Sequence, residues 1–437
     1  PKRPLIVVSN RGPVEHHAAP DGSMQARRGS GGVVTALNSL TRMVEFTWVA
    51  SAMGEGDRKI AEEHQGSKIR SPLPGHRASV RYITTPRRVY HKYYNVLCNP
   101  LLWFLQHYMW NSPYNPHVDK NVHDAWIEGY VPVNQAFSDA VIKEALLSGA
   151  PPLVMTHDYH LYLVPGMIRE KLPEAVIQHF NHIPWPAPRY WMLLPGYMRT
   201  HICSSLLSAN IVGFQSRSDV RSFLDACEEF VPDCQVDHNK QTISVGLHTC
   251  RVKAYPISID VDEISRIATS NRAQETETKL RSEIKEQAIV RVDRAEPSKN
   301  IIRGFRAFNL LLSRYPELHG KVTFLAFLVP SRTHIRQYQR YMEEIQRVID
   351  DINESFGKPE WQPIRTFLEN NYTQAVAGMK IYDVLLVNAV IDGMNLVAKE
   401  GPIVNTKNGV LVLSETIGAH YQLRHSALSV APADIEG

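Results

Sequence analysis

The chain has 437 residues, of which 43% are hydrophobic, and this length predicts two domains rather than one hydrophobic core. Its 48 basic and 44 acidic residues give a net charge of +4 without a long basic run, which argues against a nucleic-acid partner bound through bulk charge. The five cysteines form no CxxC pair and are odd in number, which favours free thiols over a zinc site. No apolar run approaches the ~20 residues that span a bilayer, and the chain enters a strand where a signal peptide would have its apolar segment. We therefore expect a soluble cytoplasmic protein with no membrane partner.

Short apolar runs alternate with amphipathic helical stretches, which is typical of parallel sheets with crossover helices. The clearest predicted strands are Leu5–Ser9, Leu153–Thr156, Ala175–Asn181, Ile211–Phe214, Ala288–Val292, Lys321–Val329, Val384–Val390 and Val410–Ser414. A polar helical stretch follows Tyr255-Pro256-Ile257 and predicts a boundary there. We predict an α/β fold with two domains, residues 1–257 and 258–437, that face each other.

Polar side chains follow several of these strands. They are Asn10 and Arg11, His157 and Asp158, His182, Arg294, and Asp392. Ligands of open α/β sheets bind beyond the carboxyl ends of the strands, so we expect these groups to converge on one cleft. The stretch 22–32 (GSMQARRGSGG) is predicted to be flexible and able to close over a ligand.

The stretch 391–400 (IDGMNLVAKE) is the strongest candidate for an anion site. A buried strand precedes it and helix-forming residues begin at Met394, so free backbone N–H groups at a helix N-terminus would favour a phosphate. Gly393 would let the backbone approach a ligand closely, and Glu400, about two turns into the helix, would accept hydrogen bonds from a sugar diol. The alternative is an ordinary strand-to-helix turn with solvated charges.

Seven motifs, in matching order over nearly the whole chain, resemble the trehalose-6-phosphate synthase family. They are VVSNR at 7–11, HDYH at 157–160, HIP at 182–184, GFQ at 213–215, YPI at 255–257, SK at 298–299 and DGMNLVAKE at 392–400. The resemblance implies the GT-B architecture, which has two Rossmann-like domains with the active site between them. It also implies retaining transfer of glucose from a nucleotide sugar to glucose 6-phosphate, through an oxocarbenium-like state and without a protein nucleophile.

For the donor, the resemblance implies contacts from the residues Gly31, Gly32, His182, Arg294, Lys299, Asp392, Gly393, Met394, Asn395, Leu396, Val397 and Glu400. Arg294 and Lys299 would hold the pyrophosphate and replace a metal, so no cofactor is expected. His182 and residues 392–396 would contact the transferred sugar and the phosphates, and Glu400 the ribose.

For the acceptor, the resemblance implies contacts from Arg11, Trp48, Tyr94, Trp103, Asp158 and Arg332. Arg11, Tyr94 and Arg332 would bind the phosphate, and Asp158 the sugar hydroxyls. Trp48 and Trp103 would form walls of the pocket, although two tryptophans without this context would be expected in the core. The implied catalytic set is Asp158, His182, Arg294 and Lys299.

Some residues depart from the family pattern. Asn300 follows Lys299 where glycine is common, and Ile391 precedes Asp392 where arginine is frequent. A relative with another phosphorylated acceptor, such as a glucosylglycerol-phosphate or validoxylamine-phosphate synthase, and a non-catalytic sugar-phosphate sensor remain alternatives. The donor nucleotide and the formation of a homo-oligomer are left open. Because family members usually continue beyond the position of Gly437, we expect that the chain lacks their final helices.

Overall fold

The computed structural model describes residues 3–19, 21, 23–29, 32–110 and 116–437. The chain divides into two compact units, Pro1–Ile257 and Ser258–Gly437, at the position where the sequence analysis places the boundary. Within the described residues, no helix is both long enough and apolar enough to cross a bilayer.

The first unit is built on a ten-stranded sheet with a separate hairpin. Its strands are β1 (Leu5–Val8), β2 (Val14–Ala18), β3 (Met24–Arg28), β4 (Thr47–Ser51), β5 (Ile69–Arg70), β6 (Ser79–Ile83), β7 (Leu153–His157), β8 (Val176–Phe180), β9 (Ile211–Phe214), β10 (Gln235–Asp237), β11 (Thr242–Val245) and β12 (His248–Ala254). The sheet order is β10-β11-β12-β9-β8-β7-β1-β4-β6-β5, and β12 through β6 in that order are parallel. Strands β2 and β3 form the antiparallel hairpin.

Helices cross between these strands. They are α1 (Gly32–Met43), α2 (Glu55–Glu63), α3 (Arg87–His91), α4 (Phe104–Gln106), α5 (Lys120–Ala125), α6 (Val131–Ser148), α7 (Val164–Lys171), α8 (Pro188–Trp191), α9 (Gly196–Leu207) and α10 (Arg217–Phe230). Two π-helical segments, Lys92–Trp103 and Trp126–Tyr130, continue neighbouring helices. Helix α6 ends where Gly149 adopts a left-handed φ of 66°, and the Ser216 side chain caps α10 by accepting from the N–H of Asp219.

The second unit has a six-stranded, fully parallel sheet. Its strands are β13 (Gln287–Arg294), β14 (Val322–Val329), β15 (Ile364–Phe367), β16 (Val384–Val387), β17 (Val410–Ser414) and β18 (Leu428–Val430), in the order β15-β14-β13-β16-β17-β18. Its helices are α11 (Val261–Ala268), α12 (Asn271–Glu283), α13 (Ile301–Arg314), α14 (Arg336–Phe356), α15 (Tyr372–Lys380), α16 (Val397–Val404) and α17 (His420–Leu423). One core forms where Phe305 and Phe308 of α13 pack against Phe324 of β14.

Each sheet reverses its strand order at one point, between β1 and β7 in the first unit and between β13 and β16 in the second. Such a topological switch point leaves a crevice at the carboxyl ends of the two strands, where doubly wound folds bind ligands. The fold therefore singles out the residues that follow these four strands.

All eight predicted strands are present, with ends shifted by at most three residues. The stretch 384–390 ends as a strand at Val387 because the next residues bond to another loop: the N–H of Val390 donates to the carbonyl of Ser298 at 2.8 Å. Helix α16 begins at Val397 rather than Met394, since Asn395 adopts a left-handed φ of 63° that a right-handed helix excludes. The expectation that 22–32 is one flexible stretch was wrong for residues 24–28, which form β3, and for Gly32, which begins α1.

Candidate functional site

The switch point of the second unit collects the charged residues predicted there. Arg294 ends β13, Lys299 closes the short 3₁₀ turn Pro297–Lys299, and Asp392 follows β16. The Lys299 ammonium donates to the Asp392 carboxylate, which also accepts from the Asn395 amide at 3.1 Å. Burial alone would lower the pKa of Lys299, but the carboxylates of Asp392 and Asp293 outweigh it and raise this pKa. Lys299 is therefore a fixed cation.

Glu296 joins two arginines that the sequence analysis assigns to different phosphates. Its Oε1 lies 3.1 Å from Nη1 of Arg294 and 3.2 Å from Nη1 of Arg332, and it accepts from the Ser331 hydroxyl at 2.9 Å. Burial alone would raise the pKa of Glu296, but the charges of Arg294, Arg332 and Lys299 lower it to about 2. The carboxylate therefore stays ionised and orients both guanidinium groups. The sequence analysis missed Glu296, whose signal was its position two residues after Arg294.

The backbone between Asp392 and α16 offers hydrogen-bond donors. In the part of the chain that the structure describes, the N–H groups of residues 394–397 have no hydrogen-bond partner, whereas that of Ala398 is capped by the Asn395 side chain at 3.3 Å. Free N–H groups at the start of a helix attract anions. The close approach at Gly393 is made by Gly418, where an added Cβ would lie 1.9 Å from the Gly393 carbonyl oxygen. Contact of Gly393 with a ligand stays a prediction.

Glu400 lies in the first turn of α16, so its predicted position two turns into the helix was wrong, because the helix begins later. The side chain is buried, and its Oε1 accepts from the Tyr372 hydroxyl at 2.8 Å. Burial raises the pKa of Glu400, and the bond from Tyr372 partly opposes that rise. Its assignment to a sugar diol remains a prediction.

The switch point of the first unit brings Arg11 and Tyr94 together. Arg11 follows β1, and its guanidinium donates to the Tyr94 hydroxyl. The ring of Tyr94 stacks on Tyr90 and on His160, with ring centroids 5.5 and 5.8 Å away. These stacks hold Tyr94 beside the arginine, as expected if both residues bind one phosphate.

Asp158 and His182 are also joined at this switch point. Asp158 follows β7 with a left-handed φ of 72°, and its Oδ1 accepts from the backbone N–H of His182 at 3.3 Å. A positive φ at a non-glycine residue is strained and is concentrated at functional sites. The two residues predicted to contact the sugars therefore lie side by side in the first unit.

His182 belongs to a group of three buried histidine rings, with His157 and His179. Nδ1 of His157 lies 3.1 Å from Nε2 of His182, and Nδ1 of His179 lies 2.8 Å from the Thr156 hydroxyl. Burial lowers the pKa of all three, to about 4 for His157, to about 3 for His179 and well below its usual value for His182. The imidazoles are therefore neutral at physiological pH. Nδ1 of His182 is buried and has no hydrogen-bond partner among the described residues.

The two tryptophans lie in the interior rather than at a surface. Trp48 is fully buried in a core cluster with Val7 and Phe46, and its indole N–H donates to the Ser9 hydroxyl at 2.7 Å. Trp103 is 2% exposed and stacks on His107 at 4.0 Å. Both side chains are almost fully buried within this unit, and their role as walls of the acceptor pocket stays a prediction.

Gly31 lies outside the described residues, and Gly32 begins α1 with no heavy atom within 4 Å of an added Cβ. Among the described residues, one group could hold a metal ion, formed by Asp225, Glu228 and His238. It includes none of the predicted site residues.

Known proteins are similar to this chain over nearly its whole length. The family model described as glycosyltransferase family 20 matches residues 3–437. The chain is 30% identical over 440 residues to the UDP-forming alpha,alpha-trehalose-phosphate synthase A of Dictyostelium discoideum, covering 99% of this chain but 56% of that protein. It is 28% identical over 437 residues to the validamine 7-phosphate valienyltransferase of Streptomyces hygroscopicus, covering 99% of this chain and 85% of the relative.

Two solved structures have the same fold. A Burkholderia xenovorans alpha,alpha-trehalose-phosphate synthase in complex with glucose-6-phosphate matches with a TM-score of 0.81 and 27% identity, covering 99% of this chain and 90% of that one. An E. coli trehalose-6-phosphate protein bound with UDP-2-fluoro glucose matches with a TM-score of 0.80 and 26% identity, covering 99% and 88%. The predicted fold class, α/β with two Rossmann-like domains of the GT-B type, is confirmed.

Proposed function

The chain belongs to glycosyltransferase family 20, and from that premise we propose that it transfers glucose from a nucleoside-diphosphate glucose to glucose 6-phosphate. The anomeric configuration is retained, and the product is α,α-trehalose 6-phosphate. The relatives and solved structures named above support both substrates by their own ligands and activities.

The observation that carries the proposal is the group of anion-binding elements at the switch point of the second unit. Lys299 supplies a fixed cation, Arg294 is half exposed, and residues 394–397 supply free N–H groups. Together they suit the diphosphate of the donor, whose charge grows as the glycosidic bond breaks.

The first unit is proposed to bind the acceptor. Arg11 and Tyr94 would take its phosphate, because a guanidinium and a hydroxyl donate to a dianion through charge-assisted bonds. Asp158 would accept from the sugar hydroxyls, and neutral His182 would bond the transferred glucose through Nδ1. The departing phosphate takes the acceptor proton, so no protein nucleophile takes part.

We further propose that transfer needs no metal ion, since Lys299 and Arg294 provide the positive charge that a divalent cation provides elsewhere. We also propose a cytoplasmic location, with which its five free cysteines agree.

A donor-by-acceptor matrix tests the proposal. UDP-, GDP- and ADP-glucose are each incubated with glucose 6-phosphate, glycerol 3-phosphate or an aminocyclitol phosphate, and products are identified by mass and NMR. We expect an α,α-linked product with glucose 6-phosphate. A product of inverted configuration only, or no transfer from any donor, would refute the proposal.

Two other functions remain in view. Transfer to another phosphorylated acceptor is favoured by the valienyltransferase match, which extends over the same 99% of this chain. The matrix separates it by the acceptor consumed. A non-catalytic sugar-phosphate sensor would bind ligands without turnover, which the same assay detects.

A further inference from the structure

Arg291 is a fully buried cation in the middle of β13, a strand flanked on both sides by other strands. Its Nε and Nη2 lie 3.1 and 2.8 Å from Oδ2 of Asp293. Its guanidinium also donates to three oxygens outside β13: the carbonyl of Lys299 at 3.0 Å, the carbonyl of Ile301 at 3.3 Å and Oδ1 of Asn388 at 3.3 Å. One side chain thus ties the Lys299 turn to the start of α13 and to the end of β16.

A buried arginine at this place is unfavourable for stability alone. Removing a guanidinium from water costs several kcal/mol even when it is paired, and apolar replacements of buried ion pairs are often neutral or stabilising. It also lies under the N-terminus of α13, where the helix dipole repels a cation. Gly304 makes room for it, since a Cβ there would lie 2.6 Å from Nη1 of Arg291. These features indicate that Arg291 serves the loop that it holds.

Asn300 completes the same connection. It has a left-handed φ of 58°, which glycine and asparagine adopt most readily. Unlike glycine, it has a side chain that donates to the carbonyls of Asn388 at 2.9 Å and Pro432 at 2.7 Å. The Asn388 amide in turn donates to the Asn300 carbonyl at 3.3 Å. The departure from the family's glycine therefore keeps the turn and adds ties to two other loops.

We propose that Arg291, Asn300 and Asn388 form a positioning network, which we call the Arg291 network, that holds the backbone of Lys299 against the loop after β16. It keeps the Lys299 ammonium and the N–H groups of residues 394–397 in register for the diphosphate of the donor. Arg291 acts through the Lys299 carbonyl and is a positioning residue. The inference rests on the proposed function, because it assumes that Lys299 meets the donor phosphates.

The test measures binding of UDP, GDP and ADP by calorimetry, together with kcat and both Michaelis constants. Arg291→Met removes the planar guanidinium group and its hydrogen bonds and keeps an unbranched apolar side chain. For the nucleoside diphosphate that wild type binds, we expect the Kd to rise about tenfold, and the donor KM to rise by the same factor. We expect kcat to fall about ten- to a hundredfold, because a displacement of the Lys299 turn by about 1 Å has effects of that size. The acceptor KM should stay within twofold. Arg291→Lys should lie between, since an ammonium cannot make the fork.

Asn300 supplies a second variant pair that does not depend on the folding of Arg291→Met. Asn300→Gly keeps the left-handed turn and loses only the amide ties, whereas Asn300→Ala also strains the backbone. Donor binding should weaken more in Asn300→Ala than in Asn300→Gly. Equal donor binding by wild type and both variants would overturn the role of Asn300.

Phe308→Leu is the matched control, because it alters the core behind α13 without touching the Lys299 turn. It should lower the unfolding free energy and leave nucleotide binding unchanged. If Arg291→Met weakens nucleotide binding no more than Phe308→Leu does, the inference is wrong while the proposed function stands. If wild type binds none of the three nucleotides, the proposed donor site is wrong and the inference fails with it.

Discussion

The two switch points hold their polar groups in opposite electrostatic states. In the second unit the groups are ion-paired: Lys299 with Asp392, and Glu296 with Arg294 and Arg332. In the first unit the imidazoles of His157, His179 and His182 are neutral, and Arg11 meets a tyrosine and the more distant Glu15 at 3.5 Å. The same topology has therefore produced one charged site and one mostly neutral site.

The contrast indicates how each site would stabilise its ligand. Ion pairs in the second unit fix cations before a substrate arrives, so under the proposed function they would stabilise growing negative charge without reorganisation. An incoming phosphate must compete there with Asp392 and Glu296. Under the proposed function, neutral imidazoles in the first unit would bond hydroxyl groups, and Arg11, whose side chain is 41% exposed, would be the main cation for a phosphate.

Removing the central cation of the charged site should have the largest effect. Lys299→Ala should lower turnover by about two to three powers of ten, as loss of one preorganised charge donor does. Steady-state assays with and without a chelator check this, and chelation should leave wild-type activity intact. Lys321→Ala, at an exposed lysine before β14, is the control. Activity that requires added magnesium would contradict the role given to Lys299.

Removing Arg11, the main cation at the switch point of the first unit, should have the next largest effect. Arg11→Ala deletes hydrogen bonds from a charged group, each worth about 1.5–3 kcal/mol, and should raise the acceptor KM about ten- to a hundredfold. Arg87→Ala removes an exposed ion pair with Glu55 and should change it little. An unchanged acceptor KM in Arg11→Ala would place the phosphate elsewhere.

The neutral histidines predict a pH dependence of stability in the first unit. Burial and the charge of His157 lower the folded pKa of His179 to about 3. Between pH about 6.5 and 3, His179 is therefore protonated in the unfolded chain and neutral in the folded chain. This contribution is present above pH 6.5 and is lost as pH falls toward 3, by about 1.4 kcal/mol per pH unit. His179→Gln should remove it.

Urea unfolding followed by tryptophan fluorescence measures this difference, because six of the seven tryptophans lie in the first unit. The variant should gain stability relative to wild type between pH 6.5 and 4.5. His238→Gln, at an exposed histidine, is the control. A wild-type-minus-variant difference that is the same at pH 7 and pH 4.5 would show that His179 is charged in the folded protein.

The smallest effect is expected at Trp48. Its indole bonds to Ser9, whose hydroxyl donates to the Arg11 carbonyl at 2.6 Å, so Trp48 supports the Arg11 loop from the core. Trp48→Phe should lower the unfolding free energy by about 1 kcal/mol, the net value of one hydrogen bond, and raise the acceptor KM less than about threefold. An increase of the acceptor KM by more than tenfold, with an unchanged free energy of unfolding, would indicate that Trp48 lines the acceptor pocket.

Strand-end residues could be predicted from the sequence because apolar runs define parallel strands and topology brings their ends together. This reasoning singled out Arg11, Asp158, His182, Arg294 and Asp392, whereas Lys299 was assigned through the family resemblance. It missed the hairpin of β2 and β3, because these strands are rich in polar residues and do not show the regular alternation of apolar and polar residues that predicts a strand.

Other features depend on backbone geometry and packing that no local pattern encodes. The left-handed Asn395 delays α16 and moves Glu400 into its first turn. In the sequence, nothing distinguishes Arg291 from an exposed charged residue of a strand. Its burial depends on the packing of α13 against β13. Whether a tryptophan lines a pocket or fills a core depends on its neighbours in space.

The most direct test of separate phosphate sites is a crossed titration. UDP, with GDP and ADP as further probes, and glucose 6-phosphate are each titrated into wild type, Lys299→Ala and Arg11→Ala by calorimetry. The account predicts that Lys299→Ala loses nucleotide binding and keeps that of glucose 6-phosphate, and that Arg11→Ala does the reverse. Equal weakening of both ligands by either variant would contradict the division of donor and acceptor between the two units.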